Sequence, residues 1–387
     1  MIQDLPPFGA AIRPLWALDS AVKYLNHGAY GATPNGVLQA QEVIRREIEA
    51  NPARFFADHF GSRLESAVER VAKEFGGQAG NWVFLDNATT AINAVMGSLT
   101  LKPGAAVLVT DQTYGAVRKA VAHHCARQGA HVREVTLPCP ADSGDQIVEV
   151  LAAAIDETVA LAVIDAVVSA SALVLPLEAL AARCRAAGVP LLIDGAHAPG
   201  MLGLDAPALG ADWVVGNLHK WAFAPRSCGV LWATPARRDV LVPPVISWGF
   251  GEGVAAGFHW PGTRDFTPWL AAPAGLDFGD TLGWPALRAR NRTLALSQGD
   301  EIAAALGTET AGPHELTAAM RAVRLPGSAG ATAKDGQALS RRLFQRHRIE
   351  VPIKALAGGL WLRISAQAYN EAADYESLIT ALKIELS

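Results

Sequence analysis

Short apolar runs recur through the first two-thirds of the chain, at Trp82–Leu85, Ala106–Thr110, Leu161–Val167, Leu191–Asp194, Trp213–Val215 and Gly229–Ala233. Their length and uniform apolarity predict strands buried on both faces. Stretches with helical spacing separate several of them, Leu177–Ala187 among them. That alternation predicts an α/β fold, with a largely parallel sheet covered by helices on both faces. Earlier in the chain, Thr33-Pro34 marks the start of a helix running to about Ala50, and Asn51-Pro52 ends it. Ser62-Arg63-Leu64-Glu65 has the form of a capping box. It leads into apolar Leu64, Val68, Val71 and Phe75, and Gly76-Gly77 forms a stop.

From Val242 to Trp284 the chain is rich in Gly, Pro and Trp and reads as long loops with a few helical turns. A second unit begins near Leu287, with helices near Gln337–His347 and Tyr375–Leu386 and a strand at Leu360–Ile364. The expected division is an N-terminal segment (1–20) packed on the small domain, a large domain (21–275) and a small C-terminal α+β domain (276–387). No internal repeat interrupts this order. With 387 residues, half of them apolar and 18% charged, the chain can bury a substantial core. Its net charge of −4 argues against a nucleic-acid partner. The four cysteines, Cys125, Cys139, Cys184 and Cys228, have no CxxC spacing and read as reduced thiols. Polar and proline breaks at Asp165, Ser169, Ser171, Pro176 and Glu178 argue against a membrane span in the apolar stretch 159–182. No basic stretch followed by an apolar run opens the chain, so a cytoplasmic location is expected.

In a parallel sheet, ligands gather at the carboxyl ends of the strands. Asp194 ends one apolar run, and Lys220 follows another, beside His219, some two dozen residues later. A lysine able to form an imine and an acid able to keep a pyridine nitrogen protonated are what pyridoxal 5′-phosphate requires. His197, three residues past Asp194, can reach the phenolic oxygen of such a cofactor. A metal site of Asp194, His197 and His219 has the right residue types but no compact ligand motif. Asp86-Asn87-Ala88-Thr89-Thr90-Ala91 opens an apolar helix, whose N-terminus suits a phosphate, with Asn217 and His219 as further donors. Tyr114, in the loop after the Ala106–Thr110 strand, can stack on a planar ring. Arg363, charged within the apolar strand Leu360–Ile364, needs a partner: a structural carboxylate or that of a substrate.

Taken together, these strings resemble the class V aminotransferase group of fold-type I pyridoxal-phosphate enzymes, and within it the isopenicillin N epimerase-like subfamily. The resemblance runs nearly end to end, through Tyr24–Ala32, Asn87–Thr90, Asp194–Gly200, Gly216–Trp221, Gly262–Asp265 and the Arg363 strand. It implies Lys220 as the Schiff-base lysine, Asp194 as the pyridinium partner, His197 at the phenolic oxygen and Tyr114 stacked on the ring. Ala88, Thr89, Thr90, Ser169, Asn217 and His219 would complete the cofactor site. Gly262 and Thr263 would reach the phosphate of a neighbouring subunit, since active sites in this family are shared across a homodimer. Arg363 would bind the substrate α-carboxylate, with Asn26 and His27 lining the substrate side. The chain departs from the subfamily at Ala166, usually histidine, at Val168, usually a hydroxyl residue, and at Arg226-Ser227, usually a basic-Gly pair.

In each version of the chemistry the substrate amine displaces Lys220, which then removes the Cα proton. Epimerisation, loss of a β-sulfur group and transamination diverge afterwards. Desulfurases of the wider family accept sulfur on a cysteine between the lysine and the arginine. Only Cys228 lies in that interval here, too near Lys220 for such a loop. The expectation is therefore an isopenicillin N epimerase-like enzyme acting at Cα or Cβ of an amino-acid substrate, with C–S lyase or aminotransferase as alternatives. A cofactor-binding homologue without turnover is the non-enzymatic alternative.

Overall fold

The structure, a computed structural model, describes residues 5–387. Seven strands form the central sheet: β1 (Trp82–Leu85), β2 (Ala106–Thr110), β3 (His131–Val135), β4 (Val159–Asp165), β5 (Leu191–Gly195), β6 (Trp213–Asn217) and β7 (Gly229–Ala233). Their spatial order is β1-β7-β6-β5-β4-β2-β3, and all but β7 run the same way. Successive residues of a strand feed opposite cores. Ala162, Ile164 and Ile193 enter one apolar cluster, whereas Leu161, Val163 and Leu192 enter the other. Burial on both faces explains why these strands are uniformly apolar.

The edge strand β3 escaped the sequence pattern because His131, Arg133 and Glu134 leave only Val135 fully buried in it. Strand β4 begins and ends two residues before the predicted Leu161–Val167, since the chain turns out of the sheet after Asp165. Helix α1 (Asn35–Ala50) follows Pro34 as expected. Helix α2 (Phe60–Phe75) buries Leu64, Val68, Val71 and Phe75 and stops at Gly76, as the pattern requires. Ser62 does not cap it. A short helix (Pro52–Arg54) and one π turn (Phe55–His59) lead directly into α2, and the Ser62 hydroxyl donates to the His59 carbonyl at 3.1 Å.

Helices α3 (Ala88–Ser98), α4 (Gly115–Arg127), α5 (Gly144–Ala152) and α6 (Leu177–Ala186) connect the strands. Within the stretch read as loops lies an eleven-residue helix, α7 (Ala272–Leu282). Pro273 sits in its first turn, where proline is tolerated. A Cβ on Gly279 would stand 1.8 Å from the Trp284 ring, and one on Gly275 would stand 2.8 Å from the Ala222 carbonyl. Residues that resemble helix breakers are thus contact points.

The smaller unit contains helix α8 (Trp284–Leu306), strands β8 (Met320–Arg324), β9 (Ile353–Leu356) and β10 (Gly359–Ser365), and helices α9 (Ala333–His347) and α10 (Ala372–Leu386). Its antiparallel sheet, in the order β9-β10-β8, shares an apolar cluster with these helices through Ile302, Val323, Leu343, Leu362 and Leu378. Near the N-terminus, Lys23-Tyr24 pairs with Ile349-Glu350, and Leu25 is buried in that same cluster. The pairing carries the next turn, His27–Tyr30, across to the Lys220 segment.

Gly31 closes that turn with φ +69°, and a Cβ there would stand 2.0 Å from the His219 carbonyl oxygen. Gly31→Ala is expected to cost about 1–3 kcal/mol and to lower the thermal midpoint measurably. An unchanged melting curve would refute this account of the contact.

Candidate active site

A cavity of about 480 Å³ opens at the carboxyl ends of the parallel strands, within the size range of small-molecule sites. Lys220 lies on a single helical turn (Leu218–Trp221) that begins where β6 ends, so strand direction delivers it to the cavity. Burial and the nearby Arg363 guanidinium lower its pKa from 10.5 to about 8, against the opposing pull of Asp194. Much of the amine is therefore unprotonated at mildly alkaline pH, as nucleophilic chemistry requires.

Asp194 is the penultimate residue of the neighbouring strand β5, buried, with Oδ1 accepting the Ala196 N–H at 3.0 Å. Burial raises its pKa, while the Ala196 N–H and Lys220 oppose the rise. Asp165 pairs with Asp194 in the β4–β5 register and lines the same cavity. Its pKa lies well above the ordinary carboxylate value because of burial first and the Asp194 charge second, and its Oδ2 has no hydrogen-bond partner. Two buried carboxyl groups facing one cavity call for a cationic partner.

His197 lies with Nε2 3.4 Å from Lys220 Nζ. Burial, helped by Lys220 and Arg363, holds its pKa well below 6.5, so the ring is neutral. Across the cavity, Asn87 caps α3, with Oδ1 accepting the Thr90 N–H at 3.0 Å. The Ala88 N–H donates to Asn217 Oδ1 at 2.8 Å, which leaves the Asn217 amino group as the donor that side chain can offer. His219 turns Nδ1 toward the Cys228 carbonyl at 3.0 Å, and burial lowers its pKa to about 4. Ala88, Thr89, Thr90, Asn217 and His219 all line the cavity. Tyr114 lines it too, at the start of α4, and is 52% exposed in the single chain.

Arg363, on β10, is buried. Its Nη1 donates to the Ser169 carbonyl at 2.6 Å and to the Ser169 hydroxyl at 3.3 Å, and its Nη2 donates to Asn26 Oδ1 at 3.5 Å. These partners are uncharged, and Nε has none. Burial lowers the guanidinium pKa to about 10. An uncompensated buried cation that lowers the lysine pKa favours an anionic ligand.

Some expected residues are not brought to the cavity wall, Arg363 among them, which reaches it only through Ser169. His27 is fully buried, its Nε2 2.9 Å from the Lys220 carbonyl and its Nδ1 2.8 Å from the Tyr369 hydroxyl. Because a carbonyl only accepts, Nε2 donates, and His27 holds the lysine's main chain instead of lining the substrate side. Asn26 sits behind Arg363 and donates to Glu350 Oε1 at 3.1 Å. Gly262 and Thr263 line a separate cavity with Arg226 and Val245. Arg264 pairs with Asp86 and lies over the Trp269 ring at 4.8 Å. Among the described residues, no three of His, Cys, Asp and Glu group as metal ligands.

Asp165, Ala29 and Tyr30 line the cavity without having been singled out as site residues. Asp165 carries the signal that marked Asp194, an acid ending an apolar strand. Tyr30 had none beyond its place in the Tyr24–Ala32 string.

A doubly covered, mainly parallel sheet and a buried lysine facing a strand-end aspartate across one cavity define the fold-type I class of pyridoxal 5′-phosphate enzymes. The chain belongs to the aminotransferase class-V family, whose profile matches residues 23–376. It is 35% identical to an isopenicillin N epimerase of Amycolatopsis lactamdurans, covering 96% of each chain. It is 33% identical to a putative L-cysteine desulfhydrase 1 of Oryza sativa subsp. japonica, covering 94% of this chain and 83% of that one. Among solved structures it superposes with TM-score 0.80 and 19% identity on a C-DES mutant carrying glycine covalently linked to its PLP cofactor. That match covers 94% of this chain and 96% of the other. The cofactor is pyridoxal 5′-phosphate, and the residues around the cavity fit it: a neutralisable amine, a buried carboxylate for the ring nitrogen and a capped helix N-terminus for the phosphate.

In the cofactor-free protein, the rate at which Lys220 reacts with an aldehyde should rise through a midpoint near pH 8. A midpoint near 10.5, the ordinary lysine value, would mean that burial and Arg363 do not act as described.

Proposed function

We propose that the cavity binds an α-amino acid by its carboxylate and that Lys220 exchanges the substrate's Cα proton, in an isopenicillin N epimerase-like reaction. The observation that carries this reading is Lys220 and Asp194 on one cavity, with the buried Arg363 guanidinium behind its wall, bonded to the lining Ser169 and near enough to lower the lysine pKa. Bound cofactor supplies an electron sink for the charge left at Cα. Asp194 keeps the ring nitrogen protonated, a task that its burial makes favourable only with a cation beside it. Arg363, steadied by Ser169 and Asn26, grips the carboxylate and orients the Cα–H bond toward the Lys220 amine. Tyr114 stacks on the ring, and Ala88, Thr89, Thr90, Asn217 and His219 hold the phosphate.

Elimination of a β-sulfur group is the second reading, favoured by the desulfhydrase relatives. None of the four cysteines lines the cavity, and burial pushes the Cys228 thiol far up, which argues against persulfide transfer to the protein. Elimination needs no such thiol.

Incubation of an amino-acid panel in D₂O separates the two. Deuterium at Cα with inverted configuration supports epimerisation, and released thiol, ammonia and keto acid support elimination. Lys220→Ala should abolish either outcome, and Arg363→Met should lower kcat/KM by about 100-fold. Exchange that persists in Lys220→Ala would sink the assignment of the base.

The same reading makes the enzyme a homodimer, with Thr263 of the partner subunit reaching the phosphate. Support comes from the exposed apolar run Val245, Ile246, Trp248 and Phe250, in which Trp248 is 89% exposed and Val245 borders the Thr263 cavity. Trp248→Asp should yield a monomer by light scattering that retains cofactor poorly. A dimer of unchanged affinity would overturn that interface.

A further inference from the structure

We propose that Trp221 is a positioning residue that fixes His197 as the Nε2–H tautomer, aimed at Lys220 and, on the reading above, at the cofactor's phenolic oxygen. The Trp221 indole nitrogen lies 3.4 Å from His197 Nδ1, and His197 Nε2 lies 3.4 Å from Lys220 Nζ. An indole N–H only donates, so Nδ1 must accept, and a neutral imidazole then carries its proton on Nε2. Burial keeps the ring neutral, so the choice of tautomer is real. An Nε2–H can meet Lys220 Nζ only when that amine is unprotonated and accepts, the state reached above its pKa of about 8. Two consecutive residues of one helical turn thus address the two nitrogens of a single ring.

The donor is itself held still. Trp221 is buried, and its ring packs against His27 with centroids 4.8 Å apart. His27 in turn bonds the Lys220 carbonyl at 2.9 Å. A Cβ on Gly200, whose φ is +84°, would stand 2.3 Å from the Trp221 carbonyl, so the turn is pressed against the loop that follows β5. The consequence is chemical. A phenolate oxygen can only accept, so the Nε2–H form meets it with a proton and the other tautomer meets it with a lone pair.

The test uses ¹⁵N-histidine labelling of the cofactor-free protein, where NMR distinguishes a protonated ring nitrogen from a bare one. Above pH 8, where the Lys220 amine is neutral, wild type should show a bare Nδ1 and a protonated Nε2 at His197, and Trp221→Phe should show a mixture. A bare Nε2 in wild type, or an unmixed Nε2–H ring in Trp221→Phe, would overturn the proposal. Because the substitution also removes packing, cofactor retention is compared in two backgrounds. Trp221→Phe should weaken pyridoxal 5′-phosphate retention by about two- to tenfold when His197 is present, and leave it unchanged in a His197→Ala background. An equal loss in both would make Trp221 a packing residue only. If wild type fails to take up the cofactor at all, the cofactor reading falls, and the tautomer is judged on the cofactor-free spectra alone.

Discussion

Parallel alignment of β4, β5 and β6 is the constraint on which the site depends. Their registers set Asp165 against Asp194, and Asp194 against Val215, two residues before β6 ends at Asn217. Each strand therefore carries its polar residue to the same sheet edge, at or next to the last paired positions, where the cavity opens. Two apolar clusters on opposite faces keep that edge rigid. A one-residue slip of β5 would exchange the residues committed to each face and carry Asp194 away from the cavity.

Charge burial then tunes what the strands deliver. Lys220, Asp194, Asp165 and Arg363 are all largely removed from water, and none sits in an ordinary surface ion pair. Arg363 lowers the lysine's proton affinity, and Asp194 partly restores it. The arrangement is costly without a ligand and balanced by one that carries a carboxylate, a phosphate and a protonated ring. That pattern suits an enzyme whose stability rises on loading with its cofactor.

Support for the reactive lysine comes from both sides of its peptide. His27, brought in by the N-terminal pairing with Ile349-Glu350, fixes the Lys220 carbonyl, while His197 faces the amine. Trp221 links these histidines, packing against one at a tilt and bonding the other. The smaller unit contributes Arg363 and the pairing that seats His27, so the site is assembled from segments more than 300 residues apart in the chain, as the Arg363–Asn26 contact illustrates.

By itself, the sequence determined six of the seven central strands, the α/β class and the placing of Asp194 and Lys220 at one sheet edge. Each of these is written in local pattern, as apolar runs that stop at a charged residue. It also carried the stripe of α2, because a helix face repeats every few residues whatever its neighbours. The sequence did not disclose strand β3, whose polar residues face water, or helix α7, whose glycines mark contacts with distant residues. It read Ser62 as a cap where the preceding π turn makes it an interior position. Only the tertiary structure decided that His27 serves the lysine's backbone, that Asp165 joins Asp194 and that Trp221 addresses His197. Those assignments depend on which buried donor meets which acceptor, and that meeting is made by packing between segments that no local spacing relates.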